Sequence, residues 1–258
     1  DAVFQNIYTL QQDRPKYTLI LSGDHIYQMN YRDMLKHHME NEADITIGVV
    51  PMPVETASEF GIVVADQHTQ VSGFQEKPRS NPRTMPDDPT RILVSMGIYV
   101  FNTDVLIKQL IEDARRKDSS HDFGKDIIPK MVQNGDKVIA YPFTGVMGNS
   151  YWRDIGTLDA YYEAHMDLVS VSPQFNLYDP RWPIHTVYSP FPPAKMVFSG
   201  GEDGKRIGTV LDSVVCNGAI ISGGKVCRSI ISPNVRVNSY ATVEDSILME
   251  GVVVGRNC

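Results

Sequence analysis

The sequence predicts an α/β domain with a Rossmann-like, mixed and mostly parallel sheet, followed by a connector and a partial parallel β-helix. Two observations carry this prediction. Near the start, a strand, a helix and a second strand follow one another within about 35 residues, which is typical of a βαβ unit. Near the end, short apolar triplets recur at spacings of 16 and 17 residues, which is the period of a coil with three flat faces.

The predicted βαβ unit lies between residues 17 and 50. Residues 17–21 form a short apolar run, and residues 44–50 form a second one. Between them, apolar side chains recur at helical spacing from Tyr31 to Met39, with Asn30 at the capping position. Because strands that are apolar throughout are buried on both faces, we expect a parallel sheet covered by helices on each side.

The middle of the chain mixes strands and helices. The pattern predicts strands at 60–65, 71–75 and 93–101, a polar loop at 79–89, helices at 103–114, 123–133 and 157–168, and an extended segment at 137–143. We therefore place the first domain at residues 1–172.

The pattern changes after residue 172. Residues 173–195 hold six of the sixteen prolines and predict an ordered connector. Beyond it, Ser213, Ser229 and Ser246 each open an apolar triplet, so residues 196–258 predict stacked β-helix coils. An antiparallel sandwich is the alternative, although strict alternation of apolar and polar residues is poor here. Since the chain opens at Asp1 without Met and stops within a repeat at Cys258, we expect it to be a piece of a longer protein.

Composition excludes several functional classes. Lys and Arg number 24 against 31 Asp and Glu, a net charge of −7, so the basic surface of a nucleic-acid-binding protein is absent. No apolar run approaches the roughly 20 residues of a membrane span, and no secretion signal is visible. The three cysteines are an odd number without a C-x-x-C pair, which favours a reducing cytoplasm over a disulfide framework or a zinc site.

Candidate site residues follow the predicted strands. Asp24 and His25 come directly after the first strand, at the edge where open α/β sheets bind ligands; Asp24 is a candidate metal ligand or a turn cap, and His25 is more typical of a hydrogen-bonded turn residue. Lys77 ends the 71–75 strand, and the following Pro78 predicts extended geometry for it, although an isolated lysine there is usually a solvated surface residue.

Two further segments add candidates. In the 93–101 strand, Ser95 and Gly97 lie on one face beside Tyr99, and such small residues can leave room for a ligand. Asp154 offers a second carboxylate just before the helix that Thr157 is expected to cap; the alternative is that Asp154 caps this helix itself.

Together these segments resemble a known family, the sugar-nucleotide pyrophosphorylases, and most closely its bacterial glucose-1-phosphate adenylyltransferase branch. The matching stretches run in the family's order and are LILSGDHIYQMNY (19–31), EFGIVVAD (59–66), FQEKP (74–78), SMGIYVF (95–101), SSHDFGKDIIPK (119–130), YWRDIGTLDAYYEAH (151–165) and YDPRWPIHT (178–186). The resemblance implies a nucleotidyltransferase domain followed by a left-handed β-helix. It also implies transfer of a nucleotidyl group from ATP to α-D-glucose 1-phosphate, giving ADP-glucose and pyrophosphate, the first committed step of glycogen synthesis.

The resemblance assigns roles residue by residue. It implies Asp24 and Asp154 as the acidic pair that holds Mg²⁺, and Gly61, Glu76, Lys77 and Ser95 as contacts to glucose 1-phosphate, with Lys77 on the phosphate. Asp24, Asp154 and Lys77 are thus the expected catalytic residues. The family's glycine-rich loop, G-G-x-G-T-R-L, is absent from this chain, so the nucleotide-binding residues are unknown and we expect negligible activity from residues 1–258 alone. For the full-length protein the resemblance implies a cytoplasmic homotetramer with a small-molecule allosteric effector.

The implied chemistry agrees with the residues present. A sugar phosphate is already ionised near neutral pH, so its attack on ATP needs no Ser or His nucleophile, whereas bringing two polyanions together calls for Mg²⁺ and a lysine. Three alternatives are a non-catalytic or regulatory subunit, a transferase that uses another nucleotide, and a hexapeptide-repeat acyltransferase. The last needs a catalytic histidine within the coils, and none follows His185.

Overall fold

The computed structural model describes residues 2–145, 148, 150–187, 189–200 and 206–258. It divides into two units, residues 1–152 and residues 153–258, and each unit is described by itself. Among the described residues, none of the helices combines the length and the apolar character needed to cross a membrane.

The first unit contains the predicted α/β elements. Its helices are α1 (Ala2–Gln5), α2 (Ile7–Asp13), α3 (Tyr31–Glu40), α4 (Thr103–Ala114) and α5 (Ile128–Asn134), with a π turn (Phe123–Ile127) directly before α5 and a 3-10 turn (Val54–Thr56). Its strands are β1 (Tyr17–Ile20), β2 (His25–Tyr27), β3 (Ile45–Pro53), β4 (Gly61–Ala65), β5 (Val71–Glu76), β6 (Arg91–Asn102) and β7 (Val138–Pro142), while β8 (Trp152–Asp154) crosses the boundary between the units. The βαβ unit is confirmed as β1–α3–β3, and the Asn30 side chain accepts a hydrogen bond from the backbone N–H of Arg32, as expected of a cap.

The sheet is mixed, as predicted, but it is not mostly parallel. Its order is β5-β4-β6-β3-β7, with β1 also pairing with β6. Among the strand pairs of this sheet in the described part of the chain, only β3 with β7 is parallel. The reason is that β6 inserts antiparallel between β1 and β3, the two parallel strands of the βαβ unit.

Apolar side chains cover both faces of this sheet. Ile45, Ile47 and Val49 are fully buried in one cluster with α4, the π turn and α5. The opposite face packs against α3, where Met34 is fully buried beside Ile98 of β6. Full burial of each such side chain contributes about 1.5–3 kcal/mol, and a helix layer on each face explains why the first six residues of β3 are all buried.

The second unit begins with the end of β8 and helix α6 (Leu158–Asp167) and continues to the β-helix. Short strands form three faces: β12 (Thr209–Leu211), β15 (Lys225–Cys227) and β18 (Thr242–Glu244); β13 (Val214–Val215), β16 (Ile230–Ile231) and β19 (Ile247–Leu248); β9 (Lys195–Val197), β14 (Ile220–Ser222), β17 (Arg236–Val237) and β20 (Val253–Val254). Every pair within these faces is parallel. A small antiparallel hairpin, β10 (Ser199–Gly200) with β11 (Arg206–Ile207), is inserted in the first coil. The parallel β-helix is therefore confirmed, and the antiparallel sandwich is excluded.

The repeat in the sequence corresponds to equivalent corners of the coils. At each corner, residues one coil apart share a left-handed backbone: Asp212, Arg228 and Asp245; Gly218, Asn234 and Gly251; Gly223, Tyr240 and Asn257. The serines follow the first of these corners, and the Oγ of Ser213 and of Ser229 accepts a backbone N–H from the next coil. Inside, Ile221, Val226, Ile231 and Val237 are completely buried, because each coil covers the apolar residues of its neighbour.

Candidate active site

Three of the predicted sugar-phosphate residues lie in one row across three neighbouring strands. Gly61 of β4 pairs with Glu76 of β5. On the other side of β4, Ile62 pairs with Val94 of β6, and one step along this antiparallel register places Gly61 beside Ser95. The row Glu76–Gly61–Ser95 thus joins residues from segments up to 34 positions apart in the sequence.

The Glu76 side chain occupies a slot that two glycines leave open. A Cβ atom built on Gly61 would lie 2.9 Å from Oε2 of Glu76, and one built on Gly124 of the π turn would overlap the same oxygen. Burial raises the pKa of Glu76, and the negative charge of Asp122 raises it further, while Lys77 and Lys125 act in the opposite direction. A carboxylate placed this way can accept hydrogen bonds from the hydroxyl groups of a ligand.

Tyr99, Asp122 and Gly124 complete the surroundings of this row. Ser95 Oγ lies 3.4 Å from the hydroxyl of Tyr99, and burial raises the pKa of that phenol to about 12. Asp122 caps the π turn by accepting the backbone N–H groups of Gly124 and Lys125. The sequence indicates Tyr99 only as a neighbour of Ser95 and Gly97, and it gives no role to Asp122, which caps the turn, or to Gly124 within it. The sequence feature that could have identified Asp122 and Gly124 is their position in the specific stretch SSHDFGKDIIPK.

Lys77 stands at the end of β5, and its backbone differs from the prediction. Its φ is +45°, so the extended geometry expected before Pro78 is wrong. The Lys77 N–H donates to the carbonyl of Phe60 over 3.1 Å, which ties the turn to the start of β4. A left-handed backbone at a residue with a side chain costs about 1–2 kcal/mol, and such strain is typical of functional sites. The side chain is exposed, as a group that meets a ligand phosphate would be.

Asp24 and His25 lie next to β6. The Nδ1 atom of His25 lies 2.8 Å from the carbonyl oxygen of Met96, and its ring packs edge-on against Trp152. Gly97 has a φ of +68°, and a Cβ there would lie 3.2 Å from the His25 ring. The predicted hydrogen bond of His25 is confirmed, but the residue begins strand β2 and does not lie in a turn. Asp24 Oδ1 accepts the hydroxyl of Ser22 at 3.0 Å and lies 3.7 Å from Nε2 of His25.

Asp154 belongs to the second unit, where it ends β8. Its Oδ1 accepts the backbone N–H of Gly156 at 3.0 Å. The cap of α6 is Thr157, whose hydroxyl accepts the N–H of Ala160, so the alternative role of Asp154 as the helix cap is excluded. Asp24, His25 and Asp154 each offer an atom that could ligate a metal. The two carboxylates are the type of oxygen ligand that Mg²⁺ prefers, whereas the imidazole is not.

Family models match both parts of the chain. A model described as "Nucleotidyl transferase" matches residues 1–171, and a model described as "GlmU-like, C-terminal hexapeptide" matches residues 192–258. The second match covers the coils described above, and it confirms the left-handed β-helix of hexapeptide type.

Similar proteins extend this match to the whole chain. It is 51% identical over 259 residues to a protein of Rhodopirellula baltica, 52% over 262 residues to one of Koribacter versatilis, and 48% over 265 residues to one of Anaeromyxobacter sp.. All three are named glucose-1-phosphate adenylyltransferase, and in each case the similarity covers 100% of this chain but only 58%, 61% and 64% of the relative, respectively. The chain thus spans about three fifths of the length of these relatives. Because the first model matches 171 of its 258 residues, the chain belongs to the nucleotidyl transferase family.

Proposed function

We propose that this chain carries the sugar-phosphate half of an active site that transfers the adenylyl group of ATP to α-D-glucose 1-phosphate. The products are ADP-glucose and pyrophosphate, and the reaction is the first committed step of glycogen synthesis. The observation that carries the proposal is the row Glu76–Gly61–Ser95 with Lys77 at its end. The names of the relatives, each matched along the whole of this chain, support the choice of substrates.

The site provides a complementary group for each end of glucose 1-phosphate. The carboxylate of Glu76 accepts hydrogen bonds from sugar hydroxyls, and the Ser95 hydroxyl can donate or accept. Gly61 has no side chain, which leaves room for the Glu76 carboxylate and the Phe74 ring beside it. The Lys77 ammonium group binds the phosphate as a point charge.

The reaction is a substitution at phosphorus. An oxygen of the sugar phosphate forms a bond to the α-phosphorus of ATP, the bond from that phosphorus to the bridging oxygen of the β-phosphate breaks, and pyrophosphate leaves with the electron pair. No proton has to be removed from the nucleophile, since the phosphate is already ionised. Catalysis therefore consists of positioning and charge neutralisation, which explains why a lysine and carboxylates suffice.

We propose Mg²⁺ as the cofactor, held by Asp24 and Asp154. Both are carboxylates at the ends of strands, and nucleotidyltransferases generally use divalent metals. When bound, the metal neutralises charge on the reacting phosphates. The neighbouring His25 is anchored on the carbonyl oxygen of Met96.

We also propose how the complete protein is organised. Residues 1–172 form the catalytic domain, 173–195 the connector and 196–258 the β-helix, which is supported by family matches that end at 171 and resume at 192. The cytoplasmic location is supported by the three free cysteines. The homotetramer and the small-molecule effector rest on the resemblance alone, and light scattering of the complete protein together with assays against sugar phosphates would test them.

The test of the proposed activity is pyrophosphate release by the complete protein. With Mg²⁺ and ATP, we expect release that depends on glucose 1-phosphate, and much slower release with mannose 1-phosphate or with GTP, UTP or dTTP. Lys77→Ala should weaken the response to glucose 1-phosphate, whereas Lys36→Ala, which alters an exposed lysine paired with Glu40 on α3, should not. Absence of turnover with retained binding of glucose 1-phosphate would favour the regulatory subunit, and faster turnover with another nucleotide would replace ATP.

A further inference from the structure

The π turn (Phe123–Ile127) brings a buried glycine against the carboxylate of Glu76. A Cβ atom built on Gly124 would overlap Oε2 of Glu76, lie 3.1 Å from its Cδ and lie 3.3 Å from Cε1 of Phe74. Gly124 itself is buried, so an added side chain has no solvent to turn into. Any residue other than glycine at this position must displace the Glu76 carboxylate or the turn.

The conformation of Gly124 does not explain why it is glycine. No left-handed φ is found at this position, so an L-residue could adopt the backbone without the strain that commonly requires glycine. Glycine is required because the Glu76 carboxylate occupies the space that a Cβ atom would fill. This differs from Gly97, where a positive φ and the His25 ring both act.

The turn is held in place independently of Glu76. Asp122 Oδ1 accepts the N–H groups of Gly124 at 2.8 Å and Lys125 at 3.0 Å, and Ile127 is buried in the core cluster. Because the turn is anchored on both sides, an added methyl group at residue 124 would move the Glu76 side chain more readily than the turn. Gly61 also leaves room for this carboxylate, since a Cβ there would lie 2.9 Å from the same oxygen.

We propose that Gly124 is a positioning residue for Glu76: by leaving the slot open, it sets the place of the carboxylate that receives the sugar hydroxyls. This inference rests on the proposed function for the identity of the sugar phosphate. A shift of about 1 Å in a group that positions substrate can cost around a hundredfold in rate. Gly124→Ala in the complete protein should therefore raise the KM for glucose 1-phosphate ten- to a hundredfold and leave the KM for ATP within twofold.

A double-mutant cycle distinguishes positioning from a general structural effect. Once Glu76→Ala has removed the carboxylate, the only close approach left to Gly124→Ala is the 3.3 Å contact with Cε1 of Phe74, so it should change the KM for glucose 1-phosphate less than twofold in that background. The matched control is Gly73→Ala on β5, where a Cβ would make only ordinary contact at 3.5 Å with Val64, and we expect all constants within twofold of the wild type. Equal effects of Gly124→Ala with and without Glu76, or an effect below twofold in the wild type, would overturn the proposal.

Thermal unfolding covers the case in which Gly124→Ala folds poorly. If the overlap with Glu76 is the cause, Glu76→Ala should restore the unfolding midpoint of Gly124→Ala, and failure to restore it overturns the proposal. The same measurement separates the two hypotheses. Should Glu76→Ala and Lys77→Ala leave binding of glucose 1-phosphate unchanged, the proposed function fails, while the coupling of midpoints between residues 124 and 76 still decides whether Gly124 positions the carboxylate.

Discussion

Residues with a left-handed backbone occur in both units, but in different structural settings. In the β-helix, left-handed residues such as Asp212, Arg228 and Asp245 recur at the same corner of each coil. In the first unit, Lys77 adopts this conformation where a strand ends among the candidate sugar-phosphate residues. The repeated left-handed residues therefore mark the turns of the coils, whereas Lys77 adopts this conformation at the end of a strand beside the candidate binding residues.

The units also differ in how far their contacts reach along the chain. From β12 onward, paired strands of the β-helix lie 16 or 17 residues apart in the sequence, as Ile231 and Leu248 do, while β9 pairs with β14 at a spacing of 25. The candidate site joins β4, β5, β6 and the π turn, and Glu76 meets Gly124 across 48 positions. Local periodicity accounts for the first arrangement, while the second depends on the register of the whole sheet. The two units should accordingly respond differently to substitution.

The largest expected effect is on the chemical step, in the complete protein. If Asp24 holds Mg²⁺, Asp24→Asn should lower kcat by roughly a hundredfold or more, since losing a charge that stabilises the transition state costs about 3 kcal/mol. Both KM values should change little. Steady-state kinetics at saturating Mg²⁺, with each substrate varied, check this. A change confined to KM would assign Asp24 to substrate binding.

The next effect is on the stability of the β-helix alone. Val237 of β17 is completely buried, whereas Val253 of β20 is 65% exposed. These two strands pair with each other on one face of the β-helix. Val237→Ala should lower the free energy of unfolding by about 2 kcal/mol, from two lost methyl groups and the cavity left behind. Val253→Ala should change it by less than about 0.5 kcal/mol. Urea unfolding of the 258-residue chain followed by circular dichroism would show this, and equal losses would contradict the stacking described here.

The third effect is on substrate binding at the first unit. Lys77→Ala should raise the KM for glucose 1-phosphate about tenfold or more, because the phosphate loses its cation in ground state and transition state alike. The kcat and the KM for ATP should change much less. Lys77→Gly sharpens the test: it removes the same charge but relieves the left-handed backbone, so it should unfold at a higher temperature than Lys77→Ala while binding equally poorly. Loss of kcat alone would show that Lys77 acts on the chemical step instead.

The sequence predicts the elements that depend on local patterns, but not the contacts that depend on the register of the whole sheet. Period and capping identified β1–α3–β3 and the coils, since those signals are local. The insertion of β6 between β1 and β3 could not be inferred, because antiparallel pairing over some 50 residues leaves no periodic trace. For the site, Lys77 and Ser95 are candidates from their positions on predicted strands, while Glu76 and the contacts to glucose 1-phosphate come from the resemblance. The contact of Gly124 with Glu76 and the φ of Lys77 depend on where strands and turns meet in space, which residue types at those positions do not encode.

The smallest expected effect concerns the charge of Glu76, which should lower the free energy of unfolding at neutral pH but strengthen the binding of glucose 1-phosphate. Burial raises the pKa of this carboxyl group above its ordinary value of 4.5, and Asp122 adds to the shift while Lys77 and Lys125 oppose it. A group whose pKa is higher in the folded state binds its proton more tightly there, so its contribution to stability is present below pH 4.5 and is lost as the pH rises through the raised pKa. Glu76→Gln cannot ionise and lacks this loss. We therefore expect the variant to match the wild type in unfolding free energy near pH 4 more closely than near pH 7, where it should be the more stable of the two.

At pH 7 the same variant should bind glucose 1-phosphate more weakly, because an amide oxygen accepts hydrogen bonds from sugar hydroxyls less strongly than a carboxylate does. Urea unfolding of the 258-residue chain between pH 4 and pH 7.5, with Gln75→Asn on the same strand as the control, would measure the stability difference, and calorimetric titration of the complete protein with glucose 1-phosphate would measure affinity. A stability difference that does not grow with pH would show that burial and Asp122 do not destabilise the ionised carboxylate of Glu76. Unchanged affinity would remove Glu76 from the sugar site, and with it the reason for the open slot beside Gly124.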